Sequence, residues 1–380
     1  MAEPFKNLLN TDLVALTGQH LRRVWPPFKE RAFVALATTG LDDMEMKARA
    51  MHIASALQTT LPIDFTQAAG LVEAALAPPF QTEDLSAMRI TKTGLAGWIL
   101  WSVGEWVVRS GMGTPQRALP CLHAITQRFS AEFALRPFIA EHPALARATL
   151  AKWAQDSNVH VRRLASEGSR PRLPWGMRLQ ALVADPSPSL PLLQSLQDDT
   201  SAYVRRSVAN HLNDIAKDHP GVVAAWLHQH LPGASDERKA LLRHASRTLI
   251  KQGHPETLGA WGLGAGLQGE ARLRVTPQRL TLGASLTLEV SLVSSSSQTQ
   301  TLVIDYAVHH VKADGSTHAK VFKGWNLSLP PRGELRLSRQ HSMRVITTRR
   351  YYAGRHRVVV LVNGQAVAEA AFVLRLPVAN

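Results

Sequence analysis

The spacing of hydrophobic residues along the chain changes once, close to residue 260. Before that point apolar residues recur every three or four positions, as in LDDMEMKARAMHIASALQ and HPGVVAAWLHQHL, and this spacing predicts amphipathic helices. Short segments with Pro, Gly or Asp separate the helical stretches, which favours antiparallel helix pairs. Beyond the Gly-rich stretch GAWGLGAGLQG, apolar residues alternate or run together over strand length, as in SLTLEVSLVS and RHRVVVLVNG.

This change of period predicts a multidomain chain, with an all-α part followed by an all-β part. We expect a helical repeat solenoid in residues 1–258, a Gly-rich linker in 259–270 and a β-sandwich in 271–380. Asp314-Gly315 and Asn363-Gly364 supply turns for two hairpins. About seven short strands without paired cysteines are typical of an immunoglobulin-like sandwich that lacks the antibody disulfide.

A repeated octapeptide indicates the kind of helical domain. DSNVHVRR at 156–163 and DTSAYVRR at 199–206 lie 43 residues apart, and a looser third copy surrounds Ser235–Arg243. A repeat of roughly 40–47 residues is typical of HEAT and armadillo units, which are built from packed helices. The helix that contains the second copy has an apolar face that we expect to lie in the core. This face comprises Val204, Val208, Leu212 and Ile215.

The two helices that contain the octapeptides also carry a stripe of polar residues each. One stripe comprises Arg163, Glu167 and Arg170, and the other comprises Arg206, Asn210, Asn213 and Lys217. A polar stripe by itself is usually a solvated helix face. Since the second helices of neighbouring units lie side by side along the concave surface of a solenoid, we expect the two stripes to share a groove suited to phosphate contact.

The charge balance points to a polyanionic partner. The 380 residues carry a formal net charge of +14, which favours nucleic acid over a membrane surface because no basic amphipathic anchor is evident. Residues 271–380 hold 15 Lys and Arg against 5 Asp and Glu, so most of the excess lies in the predicted sandwich. The segment RRYYAGRHR at 349–357 is the strongest candidate there for phosphate contact. A hairpin edge protected by charge is the alternative explanation of that segment.

Other features narrow the class of protein. The first residues, MAEPFKNLLNTDL, show no basic start with a long apolar run, and no stretch has the roughly 18 apolar residues of a spanning helix, so we expect a cytoplasmic protein without a membrane partner. Cys121 is the single cysteine, and its setting is typical of a buried structural thiol. The 16 histidines show no HExxH-like spacing, which weakens the hypothesis of a metal-dependent nuclease, and we expect neither metal nor cofactor.

Three segments of the helical part resemble the AlkC branch of the DNA alkylation-repair glycosylases. They are SAEFALRPFI at 130–139, WAQDSNVHVRRLASEGSRPRLPW at 153–175 and TSAYVRRSVANHLNDIAKDHP at 200–220. The resemblance implies HEAT-like repeats, with an added C-terminal immunoglobulin-like domain in some members. It also implies a monofunctional glycosylase that releases N3-alkylated bases from duplex DNA, chiefly 3-methyladenine with 3-methylcytosine as a second candidate, without flipping the base out of the helix.

The chemistry of that reaction defines which residue types to look for. An N3-alkylated purine is cationic and leaves without protonation, so the positive charge that grows on the deoxyribose is what needs stabilisation. A carboxylate beside the sugar stabilises this charge and can orient the attacking water, and an aromatic face attracts the cation. The resemblance implies an essential Asp shortly after a Trp, which makes Asp156 and Trp153 our first candidates and Glu132 the second carboxylate. Structural explanations stay open, since Asp156 can cap a helix and Glu132 can pair with Arg136.

The remaining candidates are expected to hold the DNA. They are the possible phosphate clamps Arg162, Arg163, Arg170, Arg172, Arg205 and Arg206, the neutral donors Asn210 and Asn213, and Arg349, Arg350, Tyr351, Tyr352 and Arg355 in the sandwich. One arginine of each repeat pair usually bonds to an Asp of a neighbouring repeat, so we expect Arg163 and Arg206 to be the members that face DNA. We expect Glu167 to orient the arginines beside it, and Trp175 either to reach the groove or to pack against the next repeat.

A non-catalytic HEAT scaffold that binds nucleic acid or protein through its concave face is the main alternative. Composition and repeats fit this alternative equally well, and only the resemblance and the Trp153–Asp156 pair favour catalysis. For the catalytic hypothesis we expect a monomer whose partner is double-stranded DNA containing alkylated bases.

Overall fold

The structure is a computed structural model that describes residues 4–263, 266–346 and 349–376. The middle of the predicted linker, residues 264–265, therefore lies outside the described residues, as do both chain ends.

Contacts between Cα atoms divide the chain into two compact units. The helical unit comprises the chain up to Asp218 together with Ser235–Ala245. The sandwich unit comprises His219–Ala234 and the chain from Ser246 onward. The predicted boundary near residue 258 lies inside the second unit, because several helices cluster with the β-strands.

The stretches with three- and four-residue spacing fold as α-helices. In the described part of the chain they are α1 (Thr11–Val24), α2 (Glu30–Thr38), α3 (Met46–Thr60), α4 (Phe65–Ala75), α5 (Ile99–Gly111), α6 (Pro115–Thr126), α7 (Glu132–Glu141), α8 (Pro143–Trp153), α9 (Val159–Gly168), α10 (Gln180–Ala184), α11 (Leu190–Leu196), α12 (Ala202–Ile215), α13 (Pro220–His230), α14 (Asp236–Ala245), α15 (Arg247–Gln252) and α16 (Pro255–Ala260). None of these helices combines the length and the apolar character that crossing a bilayer requires.

One helix of each pair in the helical unit contributes to a continuous layer. Helices α3, α5, α7, α9, α12 and α14 contact one another in that order. Helices α9 and α12 contain the two copies of the repeated octapeptide, and α14 contains the looser third copy. The predicted apolar face of α12 is confirmed, because Val204, Val208, Leu212 and Ile215 are all buried. Each such side chain contributes about 1.5–3 kcal/mol on burial.

Local capping explains where the two repeat helices begin. The Asn158 side chain accepts a hydrogen bond from the backbone N–H of His160, and the Ser201 hydroxyl accepts from Tyr203. Gly168 ends α9 at a close approach to α7, since a Cβ atom there would lie 2.6 Å from Leu135. The glycine thus allows the second helices of neighbouring pairs to pack tightly.

The stretches with two-residue spacing form eight strands in the described residues, against the approximately seven predicted. They are β1 (Gly269–Thr276), β2 (Arg279–Thr281), β3 (Ser285–Ser294), β4 (Gln300–Val311), β5 (Thr317–Leu329), β6 (Glu334–Ser342), β7 (Gly354–Val362) and β8 (Gln365–Arg375). One sheet has the order β1-β3-β6 and the other β2-β8-β7-β4-β5. Alternate residues of these strands, such as Leu288, Val308, Val358 and Phe372, form a shared apolar core.

Both predicted hairpin turns are confirmed. Asp314-Gly315 lies between β4 and β5, and Asn363-Gly364 joins β7 to β8. Asn363 and Gly364 have φ angles of 48° and 77°, as a type I′ turn requires.

The predicted linker is packed at its start. Leu258 and Leu263 are buried together with Ile250 of α15, and Val303 of β4 packs against them. The indole N–H of Trp261 donates to the Ser246 hydroxyl at 3.0 Å. Helices α15 and α16 therefore share a hydrophobic cluster with the sandwich, which explains why they belong to the same unit.

Candidate active site and nucleic-acid interface

Asp156 and Asp199 have equivalent contacts in the two repeats. Each accepts a hydrogen bond from the backbone N–H two residues later, at 2.7 Å and 2.9 Å. Arg162 and Arg205, six residues after each Asp, donate to the carbonyls of that Asp and of the next residue. The repeated signature thus builds the turn that precedes each second helix.

The second carboxylate oxygen distinguishes the two aspartates. Oδ2 of Asp156 lies 2.8 Å from Nε2 of His123, whereas Oδ2 of Asp199 accepts from Nε of Arg162 at 2.6 Å. Trp153 packs beside His123 and is buried. This corrects the expectation from the sequence that its indole face is open to a ligand. The bond from Arg162 to Asp199 is the contact between neighbouring repeats that the sequence predicted for one arginine of each pair.

Glu132 and Glu167 share Arg163. Nη1 of Arg163 donates to Oε2 of Glu132 at 2.7 Å, and Nη2 lies 3.8 Å from Oε1 of Glu167. The guanidinium lies over the ring of Tyr203, 5.0 Å from its centroid. Glu132 therefore pairs with an arginine of the next helix pair, and the local pair with Arg136 that its spacing suggested does not form.

Buried ion pairs keep this cluster charged. Glu167 lies between Arg163 and Arg170, as predicted, and accepts from Nη1 of Arg170 at 2.6 Å and from the Ser207 hydroxyl at 2.7 Å. Burial alone would raise the pKa of Glu167, but the two arginines lower it below the ordinary value of a glutamate. Burial alone would lower the pKa of Arg163, but Glu132 and Glu167 raise it above its ordinary value. Both groups are therefore ionised at neutral pH.

Besides Arg162 and Arg163, two further expected phosphate clamps have carboxylate partners within the protein. Arg170 is buried, and its Nε donates to Asp214 at 2.8 Å. Arg172 makes two parallel bonds to Asp218, at 2.6 Å and 2.7 Å. Arg170 was expected to contact a DNA phosphate, but its N–H groups donate to carboxylates inside the helical unit. Burial makes such ion pairs costly to break.

The polar stripe of α12 is only partly at the surface. Arg206 is exposed and makes no hydrogen bond or ion pair with the residues that the structure describes. Oδ1 of Asn210 accepts from Nε2 of His244 at 2.9 Å, and Asn213 is buried. Arg206 is therefore the member of this stripe best placed for phosphate contact.

Trp175 lies in an irregular loop between α9 and α10. It is 63% exposed and has a φ of 63°, which is unusual for any residue other than glycine. Its ring is nearly parallel to that of Trp101, with centroids 6.4 Å apart, and Trp101 in turn packs against Phe133 at 4.9 Å. Phe133 follows Glu132 on α7, so the row of three aromatic rings runs from the exposed indole to the helix that holds Glu132.

Arg136 fixes this loop from beneath. It is fully buried and donates to the backbone carbonyls of Gly168, Arg170 and Met177 at 2.6–2.9 Å. Burial lowers its pKa to about 10. Sequence reasoning missed this role because the acceptors are carbonyls 32 to 41 residues away, and no side-chain pattern marks them.

The basic segment of the sandwich is divided between core and surface. Tyr351 is buried in the apolar core, which corrects the expectation that its ring faces DNA. The Arg349 guanidinium lies over that ring, and Arg350 lies over the ring of Tyr352, 5.6 Å from its centroid. Arg355 is exposed. The arginines therefore supply the surface of this segment, and Tyr351 anchors it.

Comparisons with known proteins agree with this architecture. Residues 129–249 match the family model described as DNA alkylation repair enzyme, and residues 270–376 match the C-terminal Ig-like domain of the uncharacterised protein YhaZ. The YhaZ protein of Bacillus subtilis is 35% identical over 95% of this chain and 96% of its own. A solved structure of the alkylpurine DNA glycosylase AlkC of Pseudomonas fluorescens, bound to DNA containing an abasic site analogue, superposes with a TM-score of 0.89. It is 36% identical and covers 98% of this chain and 100% of its own.

The fold and these matches define the class of the molecule, which is a DNA alkylation repair enzyme. Within that class the chain belongs to the AlkC-type DNA glycosylases that carry a C-terminal immunoglobulin-like domain. The predicted fold class, a helical repeat part followed by an immunoglobulin-like sandwich, is thereby confirmed.

Proposed function

We propose that the protein hydrolyses the N-glycosidic bond of cationic N3-alkylated bases in duplex DNA, with 3-methyladenine as the main substrate and 3-methylcytosine as a second. The base stays within the helix during the reaction, and no metal or cofactor takes part. The related AlkC structure supports this proposal, because an abasic site is what base removal leaves behind. The observation that carries the mechanism is the pair of carboxylates, Glu132 and Glu167, that share Arg163.

Two ionised carboxylates suit the charge that develops in this reaction. The cationic base departs without a proton, so the sugar becomes the centre of positive charge. A fixed negative charge beside the sugar stabilises that transition state, and the low pKa of Glu167 keeps its carboxylate available at neutral pH. Arg163 prevents the two carboxylates from repelling each other before DNA arrives. We assign Glu132, the less buried of the two, to orienting the attacking water.

Trp175 supplies an aromatic face at the surface of the same region. Its exposed indole, backed by the parallel ring of Trp101, can contact the cationic base or the sugar. The left-handed backbone at Trp175 costs about 1–3 kcal/mol, and such strain is concentrated at functional sites. We therefore assign Trp175 to lesion contact.

Asp156 stays a candidate, but its contacts favour a structural role. The equivalent Asp199 builds the same turn, and the bond to His123 is the main difference between the two. The contacts of Glu132 and Glu167 with Arg163, by contrast, have no counterpart in the described residues of the second repeat. The geometry therefore favours the two glutamates as the reacting carboxylates.

Exposed arginines in both units are assigned to the DNA backbone. Arg206 in the helical unit and Arg350 and Arg355 in the sandwich unit are the best placed of the expected clamps. Each phosphate contact releases counterions, so binding should weaken steeply as salt rises.

Base release from methylated duplex DNA tests the proposed function directly. We expect the wild-type protein to release free 3-methyladenine, detected by chromatography, and to leave strands that break only after alkali treatment. Methylated DNA without protein gives the spontaneous rate. Binding of this DNA with release no faster than the spontaneous rate would contradict the proposal and favour a binding scaffold instead.

A further inference from the structure

A concave region of the helical unit lies outside the site described above. It has a volume of about 880 Å³ and is bordered by α7 and α8 and by the short helices α10 and α11. Its lining is mainly apolar and includes Leu150, Met177, Leu179, Leu182 and Leu192. We call it the outer groove. Its size falls within the roughly 300–1,000 Å³ that is typical of ligand sites.

The sequence explains why this groove is uncovered. Helix α10 has five residues, and Pro186, Pro188 and Pro191 follow it within the next seven positions. Proline cannot continue a helix interior, so the layer that covers other helix pairs is short here. Of the apolar lining, Met177 is exposed and Leu182 and Leu192 are half-buried, whereas Leu150 and Leu179 are already buried.

The charged side chains of the groove are two arginines and one aspartate, so its net charge is positive. Arg147 and Arg178 line it, are exposed, and have no hydrogen bond or ion pair with the described residues. Asp185 is the one acidic residue of the lining, and its two oxygens accept from the backbone N–H and the hydroxyl of Ser187, both at 2.9 Å. A matching occupant therefore carries negative charge and an apolar surface.

DNA does not fit this combination. Phosphates and sugars offer no large apolar surface to cover Met177, Leu182 and Leu192, and protein surfaces that contact the DNA backbone are mainly polar. An amphipathic helix with an apolar face and acidic residues matches both features, and such helices bind to apolar grooves through side chains at i, i+3, i+4 and i+7.

We propose that the outer groove binds an acidic amphipathic helix of a partner protein. Its apolar face would contact the accessible apolar side chains of the groove, and its carboxylates would pair with Arg147 and Arg178. Met177 and Arg178 belong to the loop that Arg136 fixes and that also holds Trp175. A partner in the groove would therefore contact the loop of the proposed active site without entering that site.

Fluorescence anisotropy with the full-length protein tests this proposal. The probe is a fluorescein-labelled 16-residue peptide with leucines at i, i+3, i+4 and i+7 and glutamates elsewhere. We expect saturable binding that the double variant Arg147→Glu/Arg178→Glu weakens by about tenfold or more. The control is Arg31→Glu/Lys47→Glu, which changes the net charge equally at two exposed residues outside the groove. It should change the Kd by less than about twofold.

Three results would overturn the proposal. These are an equal effect of the two double variants, equal binding of a peptide with the same composition but scrambled leucines, and binding of dodecanoate in the groove with no binding of the peptide. Release of 3-methyladenine by both double variants should equal that of the wild type. This second readout separates a failure of the groove proposal from a failure of the proposed glycosylase function.

Discussion

Trp175 combines two features that core packing does not explain. Its ring is mostly exposed, and its backbone has a φ of 63°. A residue in this position contributes little burial while its backbone is strained, and Arg136 holds the neighbouring loop carbonyls in place. The proposed contact of Trp175 with the lesion would account for both features.

Substitution of Trp175 should therefore separate activity from stability. We expect Trp175→Ala to slow release of 3-methyladenine by about tenfold or more, because a cation–π contact contributes up to about 2 kcal/mol. The free energy of unfolding in urea should change by less than about 1 kcal/mol. Trp106→Ala is the control, and loss of this buried ring should cost about 3–5 kcal/mol. A similar loss of stability in both variants would place Trp175 in the core instead.

Single residues also show how far sequence reasoning reached. Helical spacing predicted that Glu167 lies between two arginines. The repeat predicted that one arginine of a pair bonds to an Asp of the neighbouring repeat, as Arg162 does to Asp199. The pair of Glu132 with Arg136, which the sequence left open as a structural explanation, does not form, because an i+4 spacing allows a pair but cannot exclude a stronger partner on another helix. The burial of Tyr351 was missed because an arginine-rich segment conceals one inward-facing ring.

At the scale of elements, Arg136 joins helix α7 to the loop after α9. We expect Arg136→Met to lower the free energy of unfolding by about 3–5 kcal/mol, because buried carbonyls lose a charged donor. The measurement is urea unfolding followed by circular dichroism. Arg22→Met is the control; Arg22 makes an exposed pair with Glu30 and should cost about 0–1 kcal/mol. Equal costs would contradict the assigned role of Arg136.

The two hairpin turns of the sandwich unit offer a second matched pair. Gly315 and Gly364 have φ angles of 78° and 77°, but a Cβ at 364 would lie 2.1 Å from the Cα of Gly253, whereas nothing lies within 4 Å of one at 315. We expect Gly315→Ala to cost about 1 kcal/mol for its left-handed backbone. Gly364→Ala should cost clearly more in the same urea titration. Equal costs would show that the contact with Gly253 contributes nothing.

Hairpin turns, strand period and helix faces were predictable because each is encoded within a few residues. The grouping of α15 and α16 with the sandwich could not be predicted in this way. It depends on apolar contacts of Ile250 and Leu258 with a strand that is distant in sequence. A deletion from residue 270 would expose that cluster. Substitution of Arg350 and Arg355 is therefore the sounder test of DNA binding by the sandwich.

For the whole molecule, buried neutral histidines predict a loss of stability in mild acid. Burial lowers the pKa of His211 and of His341 to about 4 each, against the ordinary 6.5. Between these pH values the unfolded chain binds more protons, so stability falls as the pH drops from about 6.5 towards 4. Each histidine contributes up to about 3 kcal/mol to this loss.

Urea unfolding at pH 7.5, 6 and 5 measures this dependence. His211→Asn should reduce it, since asparagine keeps a donor for the Ser166 carbonyl but does not titrate in this range. An exposed histidine, His318, provides the control as His318→Asn and should leave the dependence unchanged. An unchanged pH dependence in His211→Asn would contradict the assignment.

The most direct test of the central claim is the single-turnover rate of 3-methyladenine release by Glu132→Gln, Glu167→Gln and Asp156→Asn. If the two glutamates stabilise the sugar cation, each Gln variant should react about 100-fold slower or more, while the Kd for DNA changes little. Asp156→Asn should stay close to the wild-type rate in a correctly folded protein. Wild-type rates in both Gln variants, together with a large loss of rate in Asp156→Asn, would contradict the claim and indicate Asp156 as the reacting carboxylate.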